Sequence, residues 1–199
     1  TSEYYHSDPW RSRRQSGAGL TVQHAFHYID LLQYLAGPVA RVEAKMANLN
    51  HPSVKLEDTL SAFITYSCGA QGVVQASTAL WPGTDVRIEI NGTDGTAIMA
   101  GEKMMTWKFR EERKEDEQMR QLGSGEQTTA AGGPADFGFA DHQVVIQDMV
   151  YAIHENRQVV IPVTSVRPSV ELALAIYQSA AHNAPVDLPI QDDPSIWEV

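Results

Sequence analysis

Cysteine is nearly absent from the sequence, and Cys68 is the only one among 199 residues. A lone cysteine excludes an intramolecular disulfide and any zinc site that needs several thiolates. It also favours a reducing compartment, so we expect a cytoplasmic protein. A chain of this length can bury enough apolar surface to fold without such cross-links.

Positive charge is scarce as well. The chain has 15 lysine and arginine residues against 25 aspartate and glutamate residues, which gives a net charge of −10. Such a balance disfavours nucleic acid and anionic membrane surfaces as partners. No apolar run approaches the ~20 residues that a membrane-spanning helix requires. We therefore expect no nucleic acid and no membrane as partners.

A dinucleotide-binding fingerprint is also missing. Gly17 and Gly19 precede a predicted helix, but Val22 stands where the third glycine is required, and no strand signal precedes them. The stretch that begins at Gly123 fails too, because it has no lysine and no following helix. Neither stretch is therefore a dinucleotide fingerprint, although Gly17 and Gly19 allow close backbone approach to a ligand.

The elements predicted from apolar spacing and turn residues come in a simple order. A helix over 21–35 ends at Gly37 and Pro38. A run of strands bounded by glycine, asparagine and aspartate follows. Residues 110–136 indicate a long surface excursion whose charged part is solvated. Two helices then close the chain, the second with Pro168 in its first turn. The strand segments are 39–49, 58–67, 71–80, 85–92, 95–101 and 104–109.

Consecutive strands flanked by helices predict an α+β fold. We expect one domain over 1–199, with a mainly antiparallel open sheet of about six strands and helices packed on one face. The other face must meet water or another molecule. Val74, Ile88 and Ile90 are assigned to that face, where they alternate with polar residues. A homodimer or homotetramer formed through the sheet is therefore plausible.

The first helix carries an unusual set of polar residues, with His27 at its centre. Gln23 lies four positions before His27, and His24 and Asp30 lie three positions away on either side, so all share one face. One interpretation is a helix histidine bonded to Asp30 or to a backbone carbonyl. Another is a histidine that exchanges protons with a ligand. This spacing is not a strong metal signature, and we predict no metal.

Aromatic, arginine, glycine and helix motifs follow one another in the first 32 residues. They are Tyr4, Tyr5, Trp10, Arg11, Gly17, Gly19, His27, Ile29, Asp30, Leu31 and Leu32. Their order and spacing resemble the C-terminal domain of the Gfo/Idh/MocA oxidoreductases, the glucose–fructose oxidoreductase and inositol dehydrogenase family. The later stretches from Leu56 to Ser77 and from Trp81 to Met99, and the last two helices, are similar as well, so the resemblance spans nearly the whole chain.

The resemblance implies a fold like the C-terminal domain of glyceraldehyde-3-phosphate dehydrogenase. It implies that the chain is the substrate-binding and oligomerisation half of an NAD(P)-dependent oxidoreductase for a sugar, inositol or related polyol. A separate N-terminal Rossmann domain, absent from these residues, would hold most of the NAD or NADP. The isolated fragment would then be inactive. The alternative is a non-catalytic sugar-binding or oligomerisation module of the same fold.

The resemblance also implies roles for individual residues. His27 would take the proton of the substrate hydroxyl, with Gln23 beside it at a position where many members have aspartate. Trp10 would stack on a sugar ring and Arg11 would hold an anionic group; the alternative is a packed tryptophan and a surface arginine. The further predicted contacts are Tyr5 and His24 to substrate, and Gly17 and Gly19 to cofactor.

Overall fold

The computed structural model describes residues 2–17, 19–101, 103–122 and 139–191. The chain forms two compact units, one made of Thr1–Trp81 with Val160–Val199 and the other of Pro82–Val159. The predicted α+β class is confirmed, with antiparallel strands and packed helices. The helices are α1 (Ser2–His6), α2 (Phe26–Ala36), α3 (Asp116–Arg120), α4 (Ala140–Glu155) and α5 (Val163–His182). The strands are β1 (Val39–Ala47), β2 (Thr59–Tyr66), β3 (Gln71–Ser77), β4 (Arg87–Asn91), β5 (Gly95–Ala100), β6 (Lys103–Phe109) and β7 (Val186–Asp187).

The first unit is built on a four-stranded antiparallel sheet in the order β3-β2-β1-β7. Side chains of β1 and β2 alternate between buried and exposed, as a sheet with one covered face requires. Helices α2 and α5 cover that face and pack against each other. Burying each large apolar side chain stabilises the fold by about 1.5–3 kcal/mol. The most buried members of this core are Leu20, Ile29, Val42, Leu60, Ile64, Leu172 and Ile176.

The outer face of this sheet differs from the prediction. Val74 packs against the core, and its neighbour Val73 points outward with 71 % of its surface exposed. On β2 the outward residue Phe63, 46 % exposed, lies directly opposite Val73. On β4, in the second unit, Ile88 is buried and Ile90 is half-buried on the same face. The assignment of Val74 and Ile88 to an uncovered face was therefore wrong.

The second unit contains a three-stranded antiparallel sheet in the order β4-β5-β6. The predicted turns at 91–95 join β4 to β5. Gly95 lies so close to β6 that a Cβ atom would sit 2.6 Å from the Lys108 carbonyl oxygen, which explains why glycine is required there. The predicted six strands are therefore present, but they are divided between two sheets.

The charged excursion was predicted only in part. Residues 123–136 lie outside the described residues, but α3 forms within 110–122. Asp116, predicted to be solvated, is buried and accepts hydrogen bonds from Trp107 Nε1 at 2.9 Å and from the Arg113 amide at 2.7 Å.

The end of the chain also departs from the prediction. Helix α5 begins at Val163, so Pro168 lies in its second turn rather than its first. Strand β7 was not predicted; it pairs with β1 through Arg41–Asp187 and Val42–Val186. Among the described residues, no helix has the length and apolarity needed to span a membrane.

Candidate functional site

The candidate site lies where a π-helical turn, Thr21–Ala25, leads into α2. Such turns contain one extra residue per turn, are rare, and occur frequently at functional sites. This turn carries Gln23, which is half-buried, and His24, which is exposed. His27 follows on α2 and is also exposed. The predicted polar face of the helix is therefore present and accessible.

Tyr4 links the N-terminal segment to this turn. Its hydroxyl donates a hydrogen bond of 2.7 Å to Gln23 Oε1, and its ring centroid lies 5.4 Å from that of His24. The adjacent aromatic pair Tyr4–Tyr5 marked the segment, but the spacing gave no sign of the bond to Gln23.

Arg11 and Trp10 lie beside Tyr4. The Arg11 guanidinium is 4.5 Å from the centroid of the Tyr4 ring and 4.7 Å from that of Trp10. Its Nε also contacts Asp8 Oδ2 at 3.0 Å. Trp10 is 44 % exposed, so its ring has a surface available for a ligand. The structure thus brings Trp10, Arg11, Gln23 and His24 together around Tyr4.

The histidines have different surroundings. Partial desolvation lowers the pKa of His24, and the positive charge of Arg11 lowers it further. His27 makes no hydrogen bond with any described residue, and its predicted partner Asp30 is engaged elsewhere. Asp30 Oδ1 accepts a hydrogen bond of 2.5 Å from Ser169 Oγ on α5. The interpretation of His27 as bonded to Asp30 is therefore not what the structure has.

Tyr5 is placed differently from the prediction. It is only 3 % exposed, its hydroxyl lies 3.2 Å from Thr78 Oγ1, and its ring packs 4.9 Å from the ring of His51. A ring in this position has no free surface for a substrate. We therefore leave Tyr5 out of the site and assign it a packing role.

The two glycines also differ. Gly17 has φ +74°, and a Cβ atom there would meet nothing within 4 Å. Gly19 is buried with φ +137°, and a Cβ there would lie 2.6 Å from Glu57 Oε1 and 2.9 Å from the Tyr177 hydroxyl. The backbone of Gly17 is open to an approaching ligand, whereas Gly19 is crowded from inside the protein.

Glu57 and Asp58, two consecutive buried carboxylates, support the site from below. Glu57 Oε1 accepts hydrogen bonds from the Thr21 amide at 3.0 Å and the Tyr177 hydroxyl at 2.6 Å. Asp58 Oδ2 lies 2.9 Å from His51 Nδ1. The sequence did not single out either residue. The only signal was two acidic residues directly before a core strand.

No group of three or more histidine, cysteine, aspartate or glutamate residues is placed to hold a metal ion in the part of the chain that the structure describes. The available chemistry is therefore that of imidazole, amide, guanidinium and aromatic groups. It can bind a polar ligand, stack against a ring and exchange a proton.

Solved structures similar to this chain include dehydrogenases in complex with NADH. WlbA dehydrogenase from Bordetella pertussis, in complex with NADH and UDP-GlcNAcA, is 25 % identical, with a TM-score of 0.81 over 96 % of this chain and 52 % of that one. WlbA from Chromobacterium violaceum, with the same two ligands, is 26 % identical with the same coverage and TM-score. Levoglucosan dehydrogenase with NADH is 22 % identical, with a TM-score of 0.68 over 91 % of this chain and 53 % of that one, and shows the fold alone.

This chain spans about half the length of those structures. No curated protein matches it in sequence. The family model described as "GFO/IDH/MocA C-terminal domain" matches residues 1–98. Together with the shared fold over nearly the whole chain, this match shows that the chain resembles the C-terminal domains of Gfo/Idh/MocA oxidoreductases.

Proposed function

We propose that this chain is the substrate-binding half of an NAD(P)-dependent oxidoreductase that acts on a secondary alcohol of a sugar, inositol or related polyol. The observation that carries the proposal is His27, which is exposed and directly follows the π turn. Gln23 lies in that turn and is bonded to Tyr4, against which Arg11 and Trp10 are grouped. These groups suit a polyhydroxylated ligand with a transferable hydroxyl proton.

The cofactor would be bound mainly outside these residues. The similar structures contain NADH, which supports NAD(H) or its phosphorylated form here. When bound, the nicotinamide supplies the hydride acceptor or donor. On this chain Gly17 suits close approach by a cofactor, because no side chain blocks its backbone. Gly19 is the weaker candidate because its side is filled by Glu57.

His27 would handle the proton. A secondary alcohol loses hydride readily only if its hydroxyl proton leaves as well, so a base must stand at that oxygen. The exposed imidazole of His27 would accept this proton at Nε2 and return it in the reverse direction. The family resemblance implies a lysine partner in the other half of the protein. Gln23, held by Tyr4, would orient a substrate oxygen through its amide group.

Trp10 and Arg11 would select the substrate. An exposed indole can stack on the apolar face of a sugar ring, and a guanidinium recognises carboxylate or phosphate groups. The WlbA structures hold UDP-GlcNAcA. We therefore propose this compound as the first candidate substrate, followed by simple polyols.

The test is cofactor reduction by the full-length protein, in which this chain is joined to its cofactor-binding half. Replacement His27→Ala should lower kcat by about 10²–10⁴-fold, the usual contribution of a general base. His154→Ala is the matched control, because His154 is an exposed histidine on helix α4. Equal rates for His27→Ala and the parent protein would remove His27 from the mechanism.

A second function is favoured by Gln23. An amide is not a base and bears no charge, and here it accepts a hydrogen bond from Tyr4. A site so built suits a non-catalytic sugar-binding or oligomerisation module. Tight sugar binding by the full-length protein without cofactor reduction on any substrate would favour this alternative.

We also propose assembly and location. A homodimer or homotetramer would form through the outer face of the β3-β2-β1-β7 sheet, where Phe63 and Val73 lie exposed and adjacent. The lone cysteine favours a cytoplasmic location. The isolated 199-residue chain would be inactive in hydride transfer.

A further inference from the structure

The π turn is capped by a distant residue rather than by its own sequence. The first amide groups of any helix lack partners within that helix. Leu20, at the N-cap, has no polar side chain to supply one. Instead the Leu20 amide donates to the Glu57 carbonyl at 3.4 Å, and the Thr21 amide donates to Glu57 Oε1 at 3.0 Å. The start of the site helix is therefore fixed to the residue that precedes β2.

Glu57 also connects two other segments to the turn. The Tyr177 hydroxyl on α5 donates to Oε1 at 2.6 Å, and Arg14 Nη2 lies 3.5 Å from Oε2. Burial and the negative charge of Glu57 raise the pKa of Tyr177, which keeps it a proton donor. A carboxylate that is only 3 % exposed needs such partners to offset the cost of its burial. One side chain thus joins the Arg14 segment, the π turn and α5.

The carboxylate of Glu57 is closely packed against the backbone of Gly19. A Cβ on Gly19 would lie 2.6 Å and 2.8 Å from the two carboxylate oxygens. Close packing of this kind transmits small displacements instead of absorbing them. A change at Glu57 should therefore move the residues that follow Gly19.

The next residue, Asp58, fixes the opposite side of the site. It accepts hydrogen bonds from the amides of Leu49 and Asn50 at 2.9 and 2.8 Å, and it binds His51. The His51 ring supports Tyr5, whose neighbour Tyr4 holds Gln23. Glu57 is therefore connected to Gln23 through the π turn, and Asp58 is connected to Gln23 through His51, Tyr5 and Tyr4.

We propose that Glu57 is a positioning residue, which sets the place of Gln23, His24 and His27 from beneath the π turn without touching a ligand. This inference rests on the proposed function only for the catalytic role of the positioned residues. The effect of Glu57 on their positions does not depend on any reaction.

The test is amide hydrogen exchange together with histidine NMR spectra of the whole chain. Glu57→Gln keeps the shape and removes the charge that pairs with Arg14. It should speed exchange of the amides of Thr21–Ala25 by about 10-fold or more and shift the ring resonances of His24 and His27. Exchange of the β2 amides should change much less. Glu43→Gln, an exposed carboxylate on β1, is the matched control and should change neither.

Unchanged amide exchange in the π turn would overturn the proposal. Equal acceleration of exchange in the π turn and in β2 would also overturn it, because it would indicate a general loss of stability. If Glu57→Gln does not fold, Tyr177→Phe removes a single hydroxyl and should give the same local pattern with a smaller change. Neither measurement requires turnover. A protein without dehydrogenase activity would therefore refute the proposed function and leave this inference standing.

Discussion

At the scale of the residue, the site depends on buried charges more than on exposed ones. Glu57 and Asp58 are consecutive, 3 % and 1 % exposed, and bonded to different parts of the chain. Buried carboxylates need several partners, and removing any one of them leaves an uncompensated charge. Substitutions of Glu57 or Asp58 should therefore lower the free energy of unfolding more than substitutions of the exposed site residues.

Gly19→Ala tests the crowding next to Glu57. The added methyl group would lie 2.6 Å from Oε1, and φ +137° is unfavourable for alanine, so we expect a loss of about 2–4 kcal/mol in the free energy of unfolding. Gly17→Ala is the control, because it has a positive φ but open space, and about 1 kcal/mol is expected. Urea denaturation measures both. Equal losses would mean that backbone strain, and not contact with Glu57, causes the loss of stability in Gly19→Ala.

Asp58 should make stability fall in acid. Burial alone would raise its pKa, but hydrogen bonds from Leu49, Asn50 and His51 outweigh that effect and lower the pKa below the ordinary value of 3.8. A carboxylate with a lowered pKa stabilises the folded state above its unfolded pKa, and this contribution is lost as pH falls through the folded value. The free energy of unfolding should therefore drop as pH falls below about 4.

The variant Asp58→Asn separates this titration from general acid effects. It should be less stable at pH 7 and show a shallower decline below pH 4 than the parent. Asp94→Asn, whose side chain is 85 % exposed in the parent, should keep the parent slope. A parallel decline in Asp58→Asn and parent would assign the acid sensitivity to other groups.

The helix with His27 could be predicted because its signal is local. Apolar residues three and four apart fixed one face as buried and left His27 on the other. Tyr4, Glu57 and Tyr177 could not be assigned because their contacts join residues 19, 36 and 120 positions apart. The pattern of residues within a short stretch of sequence carries no information on contacts between residues so far apart. Tyr5 was misassigned for the same reason, since its burial depends on His51 and Thr78.

At the scale of the element, the positions of the strands could be predicted from the sequence. Which residues of each strand face the core was harder to predict. All six predicted segments contain a strand, because turn residues bound each of them. Around Val73 and Val74 two apolar residues are adjacent, so alternation alone could not decide which one faces the core. The π turn had no local signal in the sequence. Strand β7 is two residues long and has no pattern of its own.

Asp116 should hold α3 to β6. It accepts hydrogen bonds from Trp107 Nε1 and the Arg113 amide, and Asp116→Ala would leave both donors without this partner. We expect a loss of about 1–3 kcal/mol in stability and a shift of the Trp107 indole N–H resonance. Glu115→Ala, the exposed neighbour, is the control and should leave that resonance in place. An unmoved Trp107 resonance in Asp116→Ala would show that the contact does not persist in solution.

At the scale of the whole molecule, self-association through the sheet makes a clear prediction. Val73 and Gln75 lie two residues apart on β3 and face the same side. Val73→Lys should lower the molar mass measured by light scattering, because it places a charge in the apolar centre of the proposed interface. Gln75→Lys adds the same charge at a position already polar and should have a much smaller effect. Two variants with the parent mass would exclude this face as the interface.

The division into two units has a consequence for synthesis. Residues 82–159 interrupt the first unit, so its sheet is made early while α5, which covers that sheet, comes after the interruption. A ribosome that has just added residue 160 has produced α2, β1, β2 and β3 but none of α5, which packs against β1. The nascent chain must therefore keep an apolar surface exposed for the translation time of roughly 80 residues, which is several seconds or more at cellular rates.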